Sequence, residues 1–393
     1  MLSYLDYRQK VLLFLILLFS YAFGLIERNI LVVPVVIISF ICAISYAFSY
    51  KKAFFAKYLY GYLFFYILSF LSCSYFEGQS FMQTFVSADA VQYFTVLSYF
   101  CFVIGDFSSL DIEKSLTVAY FILCPLFLIE WIVYPSPFLN LCIDYDGRIQ
   151  IYGQVISYFF LFWYYGLYLR TNTLKFLLLS LPALFIILIG GYRTLLGVSL
   201  LLLALYTLYE KKIASIKYII LLGILVIFSL QLPFVSDILS HMMERQKDGA
   251  NFANSDYIRL IQWNYFTTEH FHSPLEYIFG SGVPNPSTLY GRKFYEIEEY
   301  VGPILGWRDW GTIGLSWIIG LPTVLCLVIP SFYIILAKIP KEYMAFKFYY
   351  LLLLLTGVTT VEFYAIGSFW LHGLFFYWFE QIKNENENVE QNF

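Results

Sequence analysis

The sequence predicts an all-α polytopic membrane protein: a single integral membrane domain of about twelve transmembrane helices with one long polar loop, residues 236–309. Of the 393 residues, 60% are hydrophobic and only 13% are charged, whereas a soluble domain carries about 25% charged residues. The loop 236–309 holds ten acidic residues, six Lys or Arg, and three of the four histidines. Because a bilayer hosts so many charges only at high cost, we expect this loop to stand in water on the outer side.

Apolar runs define the predicted spans, since a bilayer core about 30 Å thick needs roughly 17 to 25 apolar residues per helix. We predict helices at residues 11–26, 30–50, 58–76, 90–106, 115–134, 149–169, 176–192, 194–209, 218–235, 310–337, 346–362 and 365–380. The first run resembles a signal peptide, but the many spans that follow it indicate a retained helix. Residues 381–393, rich in Asn and Glu, are predicted to form a disordered cytoplasmic tail.

The distribution of Lys and Arg predicts the orientation. With a cytoplasmic N-terminus, the inner segments hold fifteen of the 24 Lys and Arg residues, as the positive-inside rule requires. Both termini are therefore expected in the cytoplasm. Thirteen of those fifteen residues are Lys, whereas seven of the nine outer ones are Arg. Arg makes forked contacts with phosphate, so the outer side is expected to bind a phosphate-bearing ligand, with chance as the alternative.

Composition also excludes some classes of partner. No basic tract indicates nucleic acid binding. The six cysteines are scattered without a CxxC pair, so neither a disulfide framework nor a zinc site is predicted from them.

The segment Gly190–Thr194 (GGYRT) is the sharpest candidate site. Arg193 is the only charged residue between Lys175 and Glu210, and a charge at bilayer depth costs roughly 2.5–3.5 kcal/mol even on generous scales. We therefore expect Arg193 and its neighbour Tyr192 to serve function. The alternative is an arginine that snorkels to the surface from a plain hairpin tip.

A second candidate lies before the sixth span. Arg148 is expected at its outer mouth as a substrate-binding residue or as a structural loop residue. The preceding Asp144-Tyr145-Asp146 has the DxD form of metal-dependent, nucleotide-sugar transferases. Nucleotide sugars are cytoplasmic and this loop is predicted to face outward, so we expect no metal here.

Within the long loop, residues 255–271 are predicted to form an amphipathic helix that starts at Ser255. Its apolar face carries the candidate site residues Arg259, Trp263, Phe266 and His270. This face could bind a phosphosugar, with a sugar ring stacked on Trp263. Equally, the aromatic residues could dock the helix on the membrane surface.

Two further motifs follow in the loop. Phe279–Gly282 begins a turn rich in Gly and Pro. Arg308 and Asp309 then lie at the outer start of the tenth span, where helix amide groups favour an anion. Asp309 is a candidate catalytic residue or, alternatively, a plain N-cap.

In order and topology these motifs resemble the O-antigen polymerase and ligase superfamily of bacterial envelope glycan assembly. The matching features are an Arg at an outer glycine-containing turn, a late outer loop with an Arg–x3–Trp helix and an FGxG turn, and a Gly–x2–Gly entry into the next helix. The residues concerned are Arg193, Arg259, Trp263, Phe279–Gly282, Gly311 and Gly314. The likeness covers roughly residues 140–320.

The resemblance implies glycosyl transfer in the bacterial cytoplasmic membrane from a glycan carried on polyprenyl diphosphate, with arginines holding the diphosphate. It implies that the reaction needs no metal and no cofactor. The implied partners are membrane lipid, a flippase and a chain-length regulator. Ligases of the family carry a His-Asn pair just before the Gly–x2–Gly entry, where this chain has Trp307-Arg308-Asp309. That difference favours a polymerase of O-antigen, capsule or exopolysaccharide repeat units.

We therefore expect Arg193 and Arg259 to hold the diphosphate and Asp309 or His270 to act as general base. Arg148, Arg308, Trp263 and Tyr192 are the expected substrate-binding residues. A ligase that transfers finished glycan to another lipid is the closest alternative. A non-enzymatic transporter or flippase of lipid-linked glycan is the second, although transporters seldom need so long an outer loop.

Overall fold

The computed structural model describes residues 5–20, 28–136, 138–139, 142–145, 148–212, 223, 258–295, 305–358 and 360–391. The described chain is overwhelmingly helical. Its helices are α1 (Tyr7–Phe19), α2 (Arg28–Ala47), α3 (Ala56–Phe76), α4 (Phe81–Phe85), α5 (Ala88–Tyr93), α6 (Ser98–Gly105), α7 (Ser109–Val133), α8 (Val155–Thr171), α9 (Leu174–Ile189), α10 (Arg193–Lys211), α11 (Ile258–Asn264), α12 (Pro274–Phe279), α13 (Leu289–Arg292), α14 (Gly311–Ile319), α15 (Leu321–Leu336), α16 (Ala345–Thr356) and α17 (Ser368–Gln391).

Short elements complete the chain. Strands β1 (Cys142–Tyr145) and β2 (Arg148–Ile151) form an antiparallel hairpin in which Tyr145 pairs with Arg148. Turns of 3-10 helix cover Phe94–Leu97, Trp307–Trp310 and Lys341–Tyr343, and a π-helical turn covers Tyr265–Glu269.

Five helical stretches are long and apolar enough to cross a membrane, so the described chain is a helical multi-pass membrane protein. They are Ile30–Ala47, Ala56–Phe76, Ala88–Gly105, Ser109–Val133 and Arg193–Lys211. Two shorter apolar helices, Leu174–Ile189 and Leu321–Leu336, accompany them. The predicted ninth span, residues 218–235, lies outside the described residues except for Gly223.

One predicted span is broken. Residues 310–337 form two helices, α14 and α15, separated at Gly320, whose φ of 87° is in the left-handed region. The break exists because the turn at Gly280 packs directly against the backbone there. A Cβ on Gly320 would lie 2.5 Å from the Phe279 carbonyl oxygen.

The centre of the bundle consists of α8 and α17. Every residue from Val155 to Gly166, and every residue from Gly367 to Glu380, is buried. Both buried stretches are mainly apolar and aromatic on all sides, the pattern of a helix enclosed by others. Their rings interdigitate: Phe159 lies 4.7 Å from Phe375, and Trp163 lies 5.7 Å from Trp378, between ring centroids.

Contacts between loops define two ends of the bundle. At one end Arg170 donates to the carbonyl oxygens of Lys341 and Glu342, and Lys51 pairs with Asp106. These residues all belong to segments predicted to be cytoplasmic. The loops predicted to face outward meet at the other end, where Gln79 and Ser87 bond to residues 283–288.

Two segments predicted from their polarity have regular structure in the described chain. The predicted water-exposed loop is folded onto the bundle over residues 258–295, where Phe266, His270, Glu276 and Ser281 are buried, because its own aromatic residues supply an apolar face to α14. The predicted tail at 381–393 is helical as far as Gln391, since Glu, Gln and Lys extend a helix readily once buried turns have nucleated it.

Candidate functional site

The polar residues at the outer-loop end of the bundle converge on an ion pair between Asp89 and Arg308. Asp89 lies in the first turn of α5, and Arg308 lies in the 3-10 turn before α14. Arg308 Nη2 contacts Asp89 Oδ2, which also accepts a 3.4 Å hydrogen bond from the Tyr295 hydroxyl. Asp89 raises the pKa of Arg308 above its already high ordinary value. The arginine side chain remains 49% exposed to solvent.

Tyr364, in the loop between α16 and α17, fixes the backbone at Arg308. Its hydroxyl donates a 3.1 Å hydrogen bond to the Arg308 carbonyl oxygen. Its ring stacks on Trp307, with centroids 5.6 Å apart. The 3-10 turn is therefore held from both sides, by Tyr364 and by the ion pair.

The tip of the α9–α10 hairpin reaches the same region. Burial raises the pKa of the Tyr364 phenol, and the nearby Asp309 and Tyr192 side chains add to that shift, although Arg308 opposes it. Tyr192 directly precedes Arg193. Tyr192 therefore lies close enough to Tyr364 for its charge to affect the phenol, although the two motifs are more than one hundred residues apart in sequence.

The hairpin tip presents Arg193 to solvent. Helix α9 ends at Ile189, Gly191 reverses the chain with a φ of 67°, and α10 begins at Arg193 itself. Arg193 is exposed, and it lies in the first turn of a 19-residue helix, where backbone N–H groups also favour an anion.

Asp309 is held by a long-range contact and not by a cap. Its Oδ2 accepts a 3.1 Å hydrogen bond from Gln262 Nε2, on α11. Gly306 leaves room for the pair, since a Cβ there would lie 3.0 Å from both atoms. Helix α14 has Trp310 at its N-cap position without a side-chain cap. Asp309 is therefore not the N-cap residue of α14, contrary to the alternative interpretation.

The amphipathic helix predicted at 255–271 is present in part. Its described portion is α11 followed by the π-helical turn Tyr265–Glu269, in which His270 N bonds to the Tyr265 carbonyl oxygen at 2.9 Å. Such turns recur at functional sites. Arg259, in the first turn of α11, is half-buried.

Aromatic packing attaches this helix to α14. The Phe266 ring stacks on Trp317 with centroids 4.5 Å apart, and Trp263 lies 4.7 Å from Trp310 and 5.7 Å from Trp317. The helix therefore docks on the protein, through α14. The alternative prediction was that its aromatic residues dock on the membrane surface. Trp263 remains 37% exposed, and Trp310 Nε1 has no hydrogen-bond partner within the described chain. Trp263 is therefore partly accessible, whereas Trp310 Nε1 is buried.

His270 is buried with both ring nitrogens engaged. Nε2 lies 2.8 Å from Ser281 Oγ, and Nδ1 lies 3.2 Å from the Tyr265 hydroxyl. Burial, with help from the Lys293 and His272 charges, lowers the pKa of His270 to about 3. Asp309 is therefore the better placed of the two predicted bases.

The glycine motifs serve close packing. Gly280 and Gly282 have φ values of 86° and 78°, and the turn pairs with α14 through a 2.8 Å bond from Gly282 N to the Ile318 carbonyl oxygen. A Cβ on Gly311 would lie 1.9 Å from the Gly357 carbonyl oxygen. These glycines allow backbone segments to approach closely, and their contribution to the site is therefore to its shape.

Arg148 is in β2, apart from this cluster in sequence, and its side chain lies outside the described residues. Asp144 is in β1, whereas Asp146 of the DxD segment is outside the described residues. The predicted roles of both segments therefore stay predictions.

Sequence reasoning missed two acids. Asp89 is the only charged residue between Glu77 and Asp106, and Glu362 is the only one between Lys347 and Glu380. Their isolation at predicted span ends was the available signal. Glu362 is buried beside the site, and its Oε2 accepts a 2.7 Å hydrogen bond from Tyr158 on α8.

Comparison with known proteins returned no match to a family model, to a curated protein or to a solved structure.

Proposed function

We propose that this chain is a membrane glycosyltransferase that polymerises oligosaccharide repeat units carried on polyprenyl diphosphate. The observation that carries the proposal is the position of Tyr364, which bonds to the Arg308 carbonyl oxygen and lies near Asp309 and Tyr192, the residue before Arg193. Arg193 and Asp309 are proposed to act on the same substrate, since the transfer reaction needs a cation beside the diphosphate and a carboxylate beside the attacking hydroxyl.

The reaction needs a nucleophile, a leaving group and a proton acceptor. The hydroxyl oxygen of one repeat unit attacks the anomeric carbon of the donor glycan. The bond between that carbon and the diphosphate oxygen breaks, and polyprenyl diphosphate leaves with the electron pair. Asp309 takes the hydroxyl proton, so the balance closes without an oxidant or a metal.

Arginines stabilise the leaving diphosphate in this mechanism. Arg193 is exposed at the start of α10 and can approach a lipid-borne phosphate directly. Arg259 is the second predicted contact. Arg308 is already paired with Asp89, so its role is to hold the turn that carries Asp309 and to add positive potential.

The exposed face of Trp263 supports a carbohydrate substrate. Sugar rings stack on indole faces, and the Trp263 side chain is 37% exposed. Arg148 is proposed to contact the same lipid-linked substrate.

Two alternatives make different predictions. A ligase shares the arginines but lacks a counterpart here to its histidine, since Trp307-Arg308-Asp309 occupies that position. A transporter or flippase is favoured by a buried acid at the site, Glu362, which could carry a proton. Glu130, which lies within the predicted span 115–134, accepts a 3.0 Å hydrogen bond from Leu139 N.

The lipid-linked glycans of a deletion strain distinguish the three functions. Loss of a polymerase leaves surface lipid with no more than one repeat unit. Loss of a ligase leaves long chains on the polyprenyl carrier, and loss of a flippase leaves single repeats on the cytoplasmic face. Long chains on the carrier would refute the polymerase.

A further inference from the structure

A second polar cluster lies at the same end of the bundle, where α3 ends. It comprises Glu77, the C-cap residue of α3, together with His272 and Glu276, which flank the start of α12. One donor atom from each residue lies within 4.8 Å of the other two. His272 Nδ1 is 3.2 Å from Glu276 Oε2 and 3.8 Å from Glu77 Oε1.

The Glu276 carboxylate is the unusual member of this cluster. It is fully buried, and Oε2 accepts a 2.6 Å hydrogen bond from His272 N. Its other oxygen, Oε1, has no hydrogen-bond partner among the residues that the structure describes. A buried carboxylate beside a second carboxylate is costly unless a cation or a shared proton compensates the charge.

The donor set identifies the class of cation. One imidazole nitrogen and two carboxylate oxygens suit a divalent transition metal, whereas calcium and magnesium prefer oxygen ligands alone. The His272 side chain is 56% exposed, so the cluster opens to water on one side. A three-residue site of this kind leaves one coordination position for water.

We propose that Glu77, His272 and Glu276 bind a divalent transition-metal ion, with zinc as the best fit, and so fasten the 258–295 segment to the end of α3. This site differs from the expectation of a chain without metal. The proposal does not depend on the glycosyltransferase assignment, because it concerns a structural ion some distance along the loop from Asp309.

Neighbouring contacts show what the ion would reinforce. The Gln79 side chain, two residues after Glu77, bonds to the Val283 carbonyl oxygen, Asn285 N and Thr288 Oγ1. An ion on Glu77 and His272 would add a charged link beside these neutral ones. Because it binds only the folded state, it would stabilise that state by mass action.

The test uses the full-length chain in detergent, freed of its purification tag and stripped with EDTA. Isothermal titration with ZnCl₂ is expected to give one saturable site per chain, with a rise in apparent melting temperature. MnCl₂ is a second probe, and CaCl₂ is expected to bind at least tenfold more weakly than zinc.

Variants assign the site. Glu276→Gln retains an acceptor for His272 N, and His272→Ala alters an exposed side chain, so both are expected to fold while losing at least tenfold in zinc affinity. Glu269→Gln, at an exposed acid three residues before His272, is the matched control and should bind like wild type. Absence of saturable binding, or equal affinity in all variants, would overturn the proposal and leave Glu77, His272 and Glu276 as a polar cluster without a metal ion.

Discussion

Asp89 and Arg308 are 219 residues apart in the chain, yet they form the ion pair that joins α5 to the turn before α14. Asp89→Asn should lower the apparent melting temperature, because Arg308 and Tyr295 each lose a charged partner. Both side chains are partly exposed, so we expect a cost of about 1 kcal/mol. A double-mutant cycle with Arg308→Gln measures the coupling, and strictly additive effects would show that the pair contributes nothing.

Lysine replacements test the diphosphate contact. Arg193→Lys and Arg259→Lys keep the charge but lose the forked donor geometry, so each should remove most of the polymer. Polymer length is read on gels beside an immunoblot for protein in the membrane. Arg8→Lys, at the opposite end of the bundle, is the control. Full-length polymer from Arg193→Lys would refute forked binding at that position.

Asp309→Asn tests the proposed base. Asparagine keeps the acceptor for Gln262 Nε2, so the turn should stay folded while proton transfer fails. We expect single-repeat product with elongation reduced at least a hundredfold. Asp106→Asn, an exposed acid at the other end, should elongate normally. Normal elongation by Asp309→Asn would contradict the role of Asp309 as general base. The variant Glu362→Gln would then test the other acid near the site.

His270 should make stability depend on acid pH. Its folded pKa, lowered to about 3 by burial, is below the unfolded value of about 6.5. Between these values the unfolded chain binds a proton that the native chain does not, so stability is complete above pH 6.5 and falls as the pH drops. The slope is at most about 1.4 kcal/mol per pH unit. His270→Gln should flatten the melting-temperature curve over this range, and an unchanged curve would contradict the assignment.

Topology is tested with reporter fusions. A reporter that is active only outside the cytoplasm should work when fused near residue 251 and be silent when fused at Lys212. The opposite pattern would place the Asp89–Arg308 cluster in the cytoplasm and contradict the predicted outward orientation of the 236–309 loop.

The sequence was sufficient for the helical membrane class, because runs of apolar residues report burial directly. It also selected Arg193 and Asp309, each isolated or placed at a span boundary. It could not predict the break at Gly320, since that break depends on the backbone of Gly280, 40 residues earlier. Asp89 was missed for the same reason. Its role depends on its contact with Arg308, and hydropathy gives no information about contacts between distant residues.

The enclosure of α8 by α17 has a consequence for biosynthesis. The start of α17 is 213 residues after that of α8, which at about 5–20 residues per second is a wait of roughly 10–40 s. During that interval Phe159 and Trp163 lack the aromatic partners that bury them in the finished bundle. The helices made before α17 must therefore remain loosely packed in lipid or be sheltered by the insertion machinery, and the synthesis of α17 is the event that closes the core.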